Sequence, residues 1–225
     1  MRNLKKKYLL VLLLVLYGAA AFAQGRIYTR KARLEDFPSR TTRVVLTGQE
    51  VFDAVLKEEI SSRWMASPYE FCTVTDYTRD RYTSLYYFVR FTFDANFTYM
   101  TLTKSGNPED ENQLKQGFDV VMIPIAPAYM TGGDELVFLP AYIDIMQQYI
   151  NRAMVSDKVA YRGLKALCSK PVGPVHTDRQ AALDAFLASR PFENARIEIV
   201  SSSSDKKIEM VISTDTHELR SIKRK

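Results

Sequence analysis

The side chains best suited to catalysis or metal binding are two histidines and two cysteines. They do not stand at the spacing of zinc ligands, so we expect no metal site. His176 and Asp178 are close in sequence, but closeness in sequence does not orient a catalytic triad, and we interpret this segment as a loop that caps the next helix. The serine nucleophile elbow, G-x-S-x-G, does not occur in the sequence. We therefore predict no catalytic residue and favour a protein that is not an enzyme.

Two glycine-containing turns could present backbone N–H groups to a phosphate. Residues 47–50 (TGQE) hold one glycine where a dinucleotide fingerprint needs three, and Glu50 would oppose a phosphate at the start of a helix. Residues 131–134 (TGGD) fit a turn in which Asp134 caps a helix. The acidic residues 109–111 lack the alternating ligands and central glycine of a calcium loop. The sequence therefore predicts no cofactor.

Cys72 and Cys168 are the only cysteines, so they allow a single disulfide. An oxidising compartment would favour this bridge, which the chain-entropy treatment values at roughly 4–5 kcal/mol. The alternative is two separate buried thiols that behave as small hydrophobic side chains. The sequence leaves both arrangements open.

Aromatic side chains are concentrated between Trp64 and Tyr99. Tyr86 and Phe88 lie on one face of an alternating segment at residues 85–93, and Tyr99 belongs to the alternating segment that follows. Exposed rings on a sheet can stack on sugar rings or dock on an apolar partner surface, so these three are the candidate binding residues. If both faces of the hairpin are covered, the same rings are core residues, and we favour this structural interpretation.

The charge of the chain depends on its first residues. The sequence has 31 basic and 26 acidic residues, and four of the basic residues lie within residues 1–7. Without those four, 27 basic residues face 26 acidic ones. A nearly neutral chain lacks the concentrated basic excess of a phosphate-binding domain, so we expect no nucleic-acid partner.

Residues 1–23 have the three parts of a secretory signal peptide. A basic segment at 1–7 precedes an apolar run at 8–16, and residues 21–23 (AFA) match the small-x-small cleavage rule. The stretch from 8 to 23 is shorter than the roughly 20 residues that span a bilayer, and no later apolar run reaches that length. We expect cleavage after Ala23, a mature chain without a membrane span, and a periplasmic or secreted location.

Charged side chains and little periodicity predict an extended or mobile entry segment at residues 24–41. The hydrophobic pattern then predicts one α/β or α+β domain at 42–225. A strand at 43–47, a helix to about Trp64 and a strand at 69–75 form a βαβ start. Alternation at 85–93 and 97–103 predicts a central aromatic hairpin.

The part of the chain after residue 118 is predicted to contain three strands and two helical segments. Residues 119–126 fit a strand whose Pro124 indicates an edge or an end, and Pro140 divides a helical run at 136–150. A short helix at 179–189 precedes a C-terminal hairpin made of 196–200 and 207–212, with a flexible tip at 201–206. Together these elements describe a mixed β-sheet flanked by helices.

Several short segments also carry a family resemblance. The segments Val44-Val45-Leu46, Arg63-Trp64, Ser67-Pro68-Tyr69-Glu70-Phe71 and Tyr86-Tyr87-Phe88 resemble those of exported proteins of Gram-negative bacteria that have no assigned activity. The resemblance covers about residues 43–130. This part is similar to the βαβ start of small periplasmic α/β domains, such as the N-terminal domain of the translocation protein TolB. The resemblance implies a fold and a location, and no functional residue.

Three functions fit this pattern. The first is a non-catalytic periplasmic or secreted protein that binds a protein partner of the cell envelope. The second is a glycan- or small-molecule-binding module that uses the aromatic hairpin. The third is a hydrolase, which would require a cleft with convergent polar groups and perturbed titratable residues.

Overall fold

The computed structural model describes residues 34–107, 109, 117–128 and 134–225. The expected signal peptide, the first part of the segment at 24–41, and the glycines of the turn at 131–134 lie outside the described residues, as do two of the three acidic residues at 109–111. Within the described part, the chain forms five α-helices and two mixed sheets. This architecture confirms the predicted α/β or α+β class.

The first sheet contains the predicted βαβ start and the aromatic hairpin. Its strands are β1 (Thr42–Val45), β2 (Tyr69–Cys72), β3 (Tyr87–Phe93), β4 (Phe97–Lys104) and β5 (Phe118–Pro127). Their spatial order is β2-β1-β3-β4-β5, with β1 parallel to β2 and β3, and with β3, β4 and β5 antiparallel. Helix α1 (Glu50–Arg63) connects β1 to β2. The edge position predicted for the strand of Pro124 is confirmed.

The predicted strand at 69–75 is too long. It ends at Cys72, and residues Val74–Asp80 form helix α2. The side chain of Thr73 accepts a hydrogen bond from the backbone of Asp76, whose carboxylate accepts one from the backbone of Thr73. This capping box starts a helix within a segment whose β-branched composition indicated a strand.

The second sheet consists of β6 (Val175–His176), β7 (Asn194–Val200), β8 (Lys207–Ser213) and β9 (Leu219–Arg224), in that order. β6 is parallel to β7, and helix α5 (Arg179–Leu187) connects them. β7, β8 and β9 are antiparallel, which confirms the predicted C-terminal hairpin and adds a third strand to it.

Two further α-helices lie between the sheets in sequence. A 3-10 helix (Asp134–Phe138) leads into α3 (Leu139–Val155), and α4 (Asp157–Arg162) leads into a second 3-10 helix (Gly163–Ala166). Pro140 stands in the first turn of α3, where a missing N–H removes no intrahelical hydrogen bond. The predicted division of this run at Pro140 is therefore confirmed.

One hydrophobic cluster contains buried residues of both sheets and of α3. It includes Leu34 and Phe37, which are buried and precede the first strand. Phe37 opens a short 3-10 helix (Phe37–Ser39) and its ring lies 4.7 Å from that of Tyr87. The expectation of an extended course through residues 24–41 is wrong for this stretch, since its two apolar side chains fill the core.

The tip of the C-terminal hairpin is held against the aromatic hairpin. The carbonyl oxygen of the Asn96 side chain accepts hydrogen bonds from the hydroxyls of Ser201, at 3.2 Å, and Ser204, at 2.7 Å. Ser203 donates to the backbone carbonyl of Ala95. The flexible tip expected at 201–206 is thus a docked loop, because its serine hydroxyls find partners on another hairpin.

Candidate functional site

A cleft of about 540 Å³ lies where the two sheets approach each other. This volume is within the range of roughly 300–1,000 Å³ that is typical of ligand sites. Its walls come from the end of β5, the start of α3, the β6–α5 connection and β7. The apolar lining residues outside β7 are Ile125, Pro127, Phe138, Tyr142, Ala182 and Leu183.

β7 lines the cleft with its edge. All five residues from Arg196 to Val200 contribute to the lining. Consecutive side chains of a strand point to opposite faces of the sheet. Five consecutive residues can therefore line one cleft only if the cleft runs along the edge of the strand. Ile197 and Ile199 are buried in the core, whereas the side chain of Val200 is 51% exposed at the rim.

The backbone groups of alternate β7 residues point away from β8. Val200 stands opposite Lys207 in the β7–β8 ladder, yet Lys207 exchanges both of its backbone hydrogen bonds with Lys225 on its other side. Such a pair is a non-hydrogen-bonded one, whose N–H and C=O groups point outward from the two strands. The same alternation directs the backbone groups of Glu198 away from β8.

β6 is too short to cover this edge. Among the described residues, β6 pairs only with the first two residues of β7. Thr177, which directly follows β6, already lines the cleft. The N–H and C=O groups of Glu198 and Val200 therefore face the space that a longer β6 would occupy. The opposite wall is different, because Pro124 and Pro127 of β5 have no N–H to donate.

The described lining residues include three charged side chains. These are Arg179, Arg196 and Glu198. Glu198 accepts hydrogen bonds from Arg196 at 3.2 Å and from Lys207 at 2.9 Å. Because two cations compensate the carboxylate of Glu198, this residue adds little repulsion toward an acidic group in the cleft.

The aromatic candidates do not form an exposed platform. Phe88 is buried and its ring lies 5.0 Å from that of Tyr77, under helix α2. Tyr99 is buried, and its hydroxyl donates to the carboxylate of Asp94 at 2.9 Å. Tyr86 is half-buried, with the guanidinium of Arg43 lying 3.7 Å above its ring. Phe88 and Tyr99 are therefore covered, as are Tyr87 and Val89 on the other face of the hairpin, which agrees with the structural interpretation favoured from the sequence.

The two cysteines are unpaired. Cys72 is buried in a small cluster with Val45 and Phe88, on the face of the first sheet that carries α2. Cys168 packs against the main core after the second 3-10 helix. Burial raises the pKa of the Cys72 thiol to about 11. The structure therefore has the second arrangement that the sequence left open, two separate thiols.

The two histidines hold structural contacts. The Nε2 atom of His176 lies 2.7 Å from the carboxylate of Glu193. The Nδ1 atom of His217 lies 2.6 Å from the carboxylate of Asp144, and its ring stacks on Phe186. Asp178 caps α5 by accepting a hydrogen bond from the backbone of the third residue of that helix, as the capping interpretation predicts.

The described residues contain no candidate metal site and no candidate membrane span. No group of three or more histidine, cysteine, aspartate or glutamate side chains there could hold a metal ion. No helix in the same residues is long and apolar enough to cross a bilayer.

Sequence reasoning missed the cleft residues. The strand that contains Arg196, Glu198 and Val200 was predicted, but its open edge depends on how far β6 extends beside it. A two-residue strand has no periodicity that could reveal its length. The sequence predicted a helix that begins at Arg179, but no local pattern indicated that this arginine lies opposite β5.

No protein-family model, curated protein or solved structure matches the chain.

Proposed function

We propose that this protein is an exported, non-catalytic binding protein that acts in the periplasm or outside the cell and binds a protein partner of the cell envelope through the cleft. The observation that carries the proposal is the open edge of β7 at Glu198 and Val200 within a cleft of about 540 Å³. Natural proteins usually cover or blunt such edges, because an exposed edge pairs with other chains.

The chemistry of the lining supports binding in preference to catalysis. Among its described lining residues, the cleft combines apolar side chains with two arginines and one paired glutamate, and none of these residues is a histidine or a cysteine. The two histidines each contact a carboxylate elsewhere. A cleft of this composition can exclude water from a bound segment and orient it, which is what recognition requires.

The location follows from the N-terminal sequence. A basic segment, an apolar run and a small-x-small site at residues 1–23 support export through a cleaved signal peptide. Mass spectrometry of the mature protein from cell fractions tests this part of the proposal. We expect an N-terminus at Gln24 in the periplasmic or secreted fraction, and a chain that retains residues 1–23 in the membrane fraction would contradict it.

Photo-cross-linking tests the binding function. A benzophenone amino acid replaces Val200 at the rim of the cleft in the intact cell envelope, and the adducts are identified by mass spectrometry. The matched control carries the same group at Leu85, which is 59% exposed. Leu85 precedes β3 at the end of the hairpin that lies beside the first residue of β5, whereas the cleft lies beside the last residues of β5.

The two positions give different expected results. Position 200 should yield a protein adduct of defined mass, and position 85 should not. Absence of an adduct from position 200, or the same adducts from both positions, would refute a partner site at the cleft.

A further inference from the structure

We infer that the partner enters the cleft as an extended segment and pairs with the edge of β7, continuing the line of β6. This inference depends on the proposed function and specifies how that site recognises its partner. Strand addition of this kind obtains affinity from main-chain hydrogen bonds and specificity from alternate side chains.

Backbone groups of β7 point toward the uncovered part of its edge. Glu198 and Val200 direct N–H and C=O groups toward the side of β7 that β6 leaves uncovered among the described residues. The next residue after β6, Thr177, lines the same space. A segment of about five residues, roughly 16 Å long when extended, would lie along the part of β7 from Arg196 to Val200.

The two faces of such a segment would meet different surroundings. Side chains that point inward would meet Phe138, Tyr142 and Leu183, which favours apolar residues at alternate positions. Side chains that point outward would lie beside Arg196 and Glu198, on the charged face of the second sheet. This arrangement requires alternation in the partner, as in a strand with one buried face.

Charge favours particular side chains in the partner. Among the described lining residues, two arginines accompany one carboxylate, and that carboxylate is already engaged by Arg196 and Lys207. The partner segment should therefore carry acidic residues at its outward positions, because like charges across an interface oppose binding.

A second copy of this chain fits the site poorly. The open edge of β7 is flanked by β5 and by α5, which form the two sides of the cleft. The same edge in another copy would be recessed in the same way, so two such edges could not approach to hydrogen-bond distance. A free segment of a partner can enter where a second folded copy cannot.

The test uses the purified mature chain and the peptide Ac-VEVTVE-NH2. At millimolar concentration this peptide should shift the amide resonances of Glu198 and Val200 and slow their hydrogen exchange, since these N–H groups gain acceptors. Two further peptides carry methyl groups on the backbone nitrogens of one edge or of the other. Their affinity for the protein should differ from that of the parent peptide, and at least one of them should fail to bind. Replacing both glutamates of the peptide by lysine should weaken binding by about tenfold.

Two variants supply the matched comparison. Val200→Pro removes an N–H group that faces the cleft and is compatible with an edge strand, whereas Val200→Thr keeps it. We expect the proline variant to lose peptide binding and the threonine variant to retain it. If the proline variant does not fold, the N-methylated peptides decide the question on the unchanged protein.

The results that overturn the inference are separate from those that overturn the proposed function. No binding of the parent peptide, binding without effects at Glu198 and Val200, equal binding of all N-methylated versions, or a concentration-dependent dimer through β7 would each refute strand addition. A specific cross-link from position 200 would then still support the binding function. Peptide binding without any cross-link would instead refute the envelope partner.

Discussion

Cys72 shows how packing controls the reactivity of a single residue. Burial among Val45 and Phe88 raises the pKa of its thiol to about 11. At pH 8 roughly one such thiol in a thousand is ionised, and the thiolate is the reactive form. Iodoacetamide should therefore leave Cys72 unmodified in the native protein and modify it in urea, as measured by peptide mass mapping.

The variant Cys168→Ser is the control, because it removes the other thiol and any disulfide exchange with it. Rapid modification of native Cys72, or a peptide pair linked through Cys72 and Cys168, would contradict this account of the core.

Asp36 makes stability depend on pH. Burial opposes its ionisation, but hydrogen bonds from Lys104, at 2.8 Å, and from the hydroxyl of Tyr87, at 2.7 Å, outweigh burial and hold the pKa of Asp36 below its ordinary value. A carboxyl whose pKa is lower in the folded state stabilises the fold above its unfolded pKa, at about pH 4, and this contribution is lost as the pH falls through the folded pKa.

Asp36→Asn should remove this part of the pH dependence. In urea unfolding between about pH 5 and pH 2, the variant should lose less stability on acidification than the natural chain, although it is less stable at pH 7. An unchanged slope of unfolding free energy against pH would show that Asp36 is ionised equally in both states.

The short 3-10 helix before β1 is an element of the core. Phe37 is fully buried, with its ring 4.7 Å from Tyr87 and 6.4 Å from Trp64. Phe37→Ala should lower the free energy of unfolding by about 3–5 kcal/mol, because it leaves a cavity between packed rings. Chemical denaturation measures this change. A loss below about 0.5 kcal/mol, the usual effect of a surface substitution, would mean that this segment lies outside the core.

The elements that could be predicted are those with strong local patterns. The alternating strands β3, β4, β7 and β8 and the amphipathic helix α3 have periodicities that hold over several residues. Helix α2 was missed because the capping box of Thr73 and Asp76 outweighs the strand propensity of its neighbours. β6 and β9 were missed because one is two residues long and the other has few apolar residues.

The candidate site depends on relations that no local pattern contains. The cleft forms where the end of β5 approaches β7, two strands that are about 70 residues apart in sequence. Its open edge exists because β6 ends at His176. Likewise, the burial of Tyr99 and Phe88 depends on which elements cover each face of the first sheet, so the sequence alone could not decide whether those rings bind a ligand.

A polar network joins distant parts of the whole molecule. Asp144 of α3 lies 2.6 Å from His217, in the turn between β8 and β9, and 3.2 Å from Arg63 at the end of α1. Asp144→Ala leaves both partners without this acceptor and should lower the free energy of unfolding by about 1.5–3 kcal/mol. Asp144→Asn, which keeps an acceptor oxygen, is the control and should lose less.

The shared core predicts a single unfolding transition. Trp64 is the only tryptophan and belongs to the cluster that also contains residues of the second sheet. Its fluorescence and the far-ultraviolet circular dichroism of the whole chain should therefore change at the same urea concentration. Separate midpoints would indicate that the two sheets unfold independently, and the walls of the cleft would then belong to two units.

The central claim is that a partner binds where β7 has an open edge. Hydrogen exchange measured by mass spectrometry, on the unmodified protein alone and in its non-covalent complex with the partner that the cross-link identifies, tests this claim most directly. We expect slower exchange in the complex at residues 196–200 and 177–183, which line the cleft. Protection confined to the aromatic hairpin, or identical exchange in both samples, would contradict it.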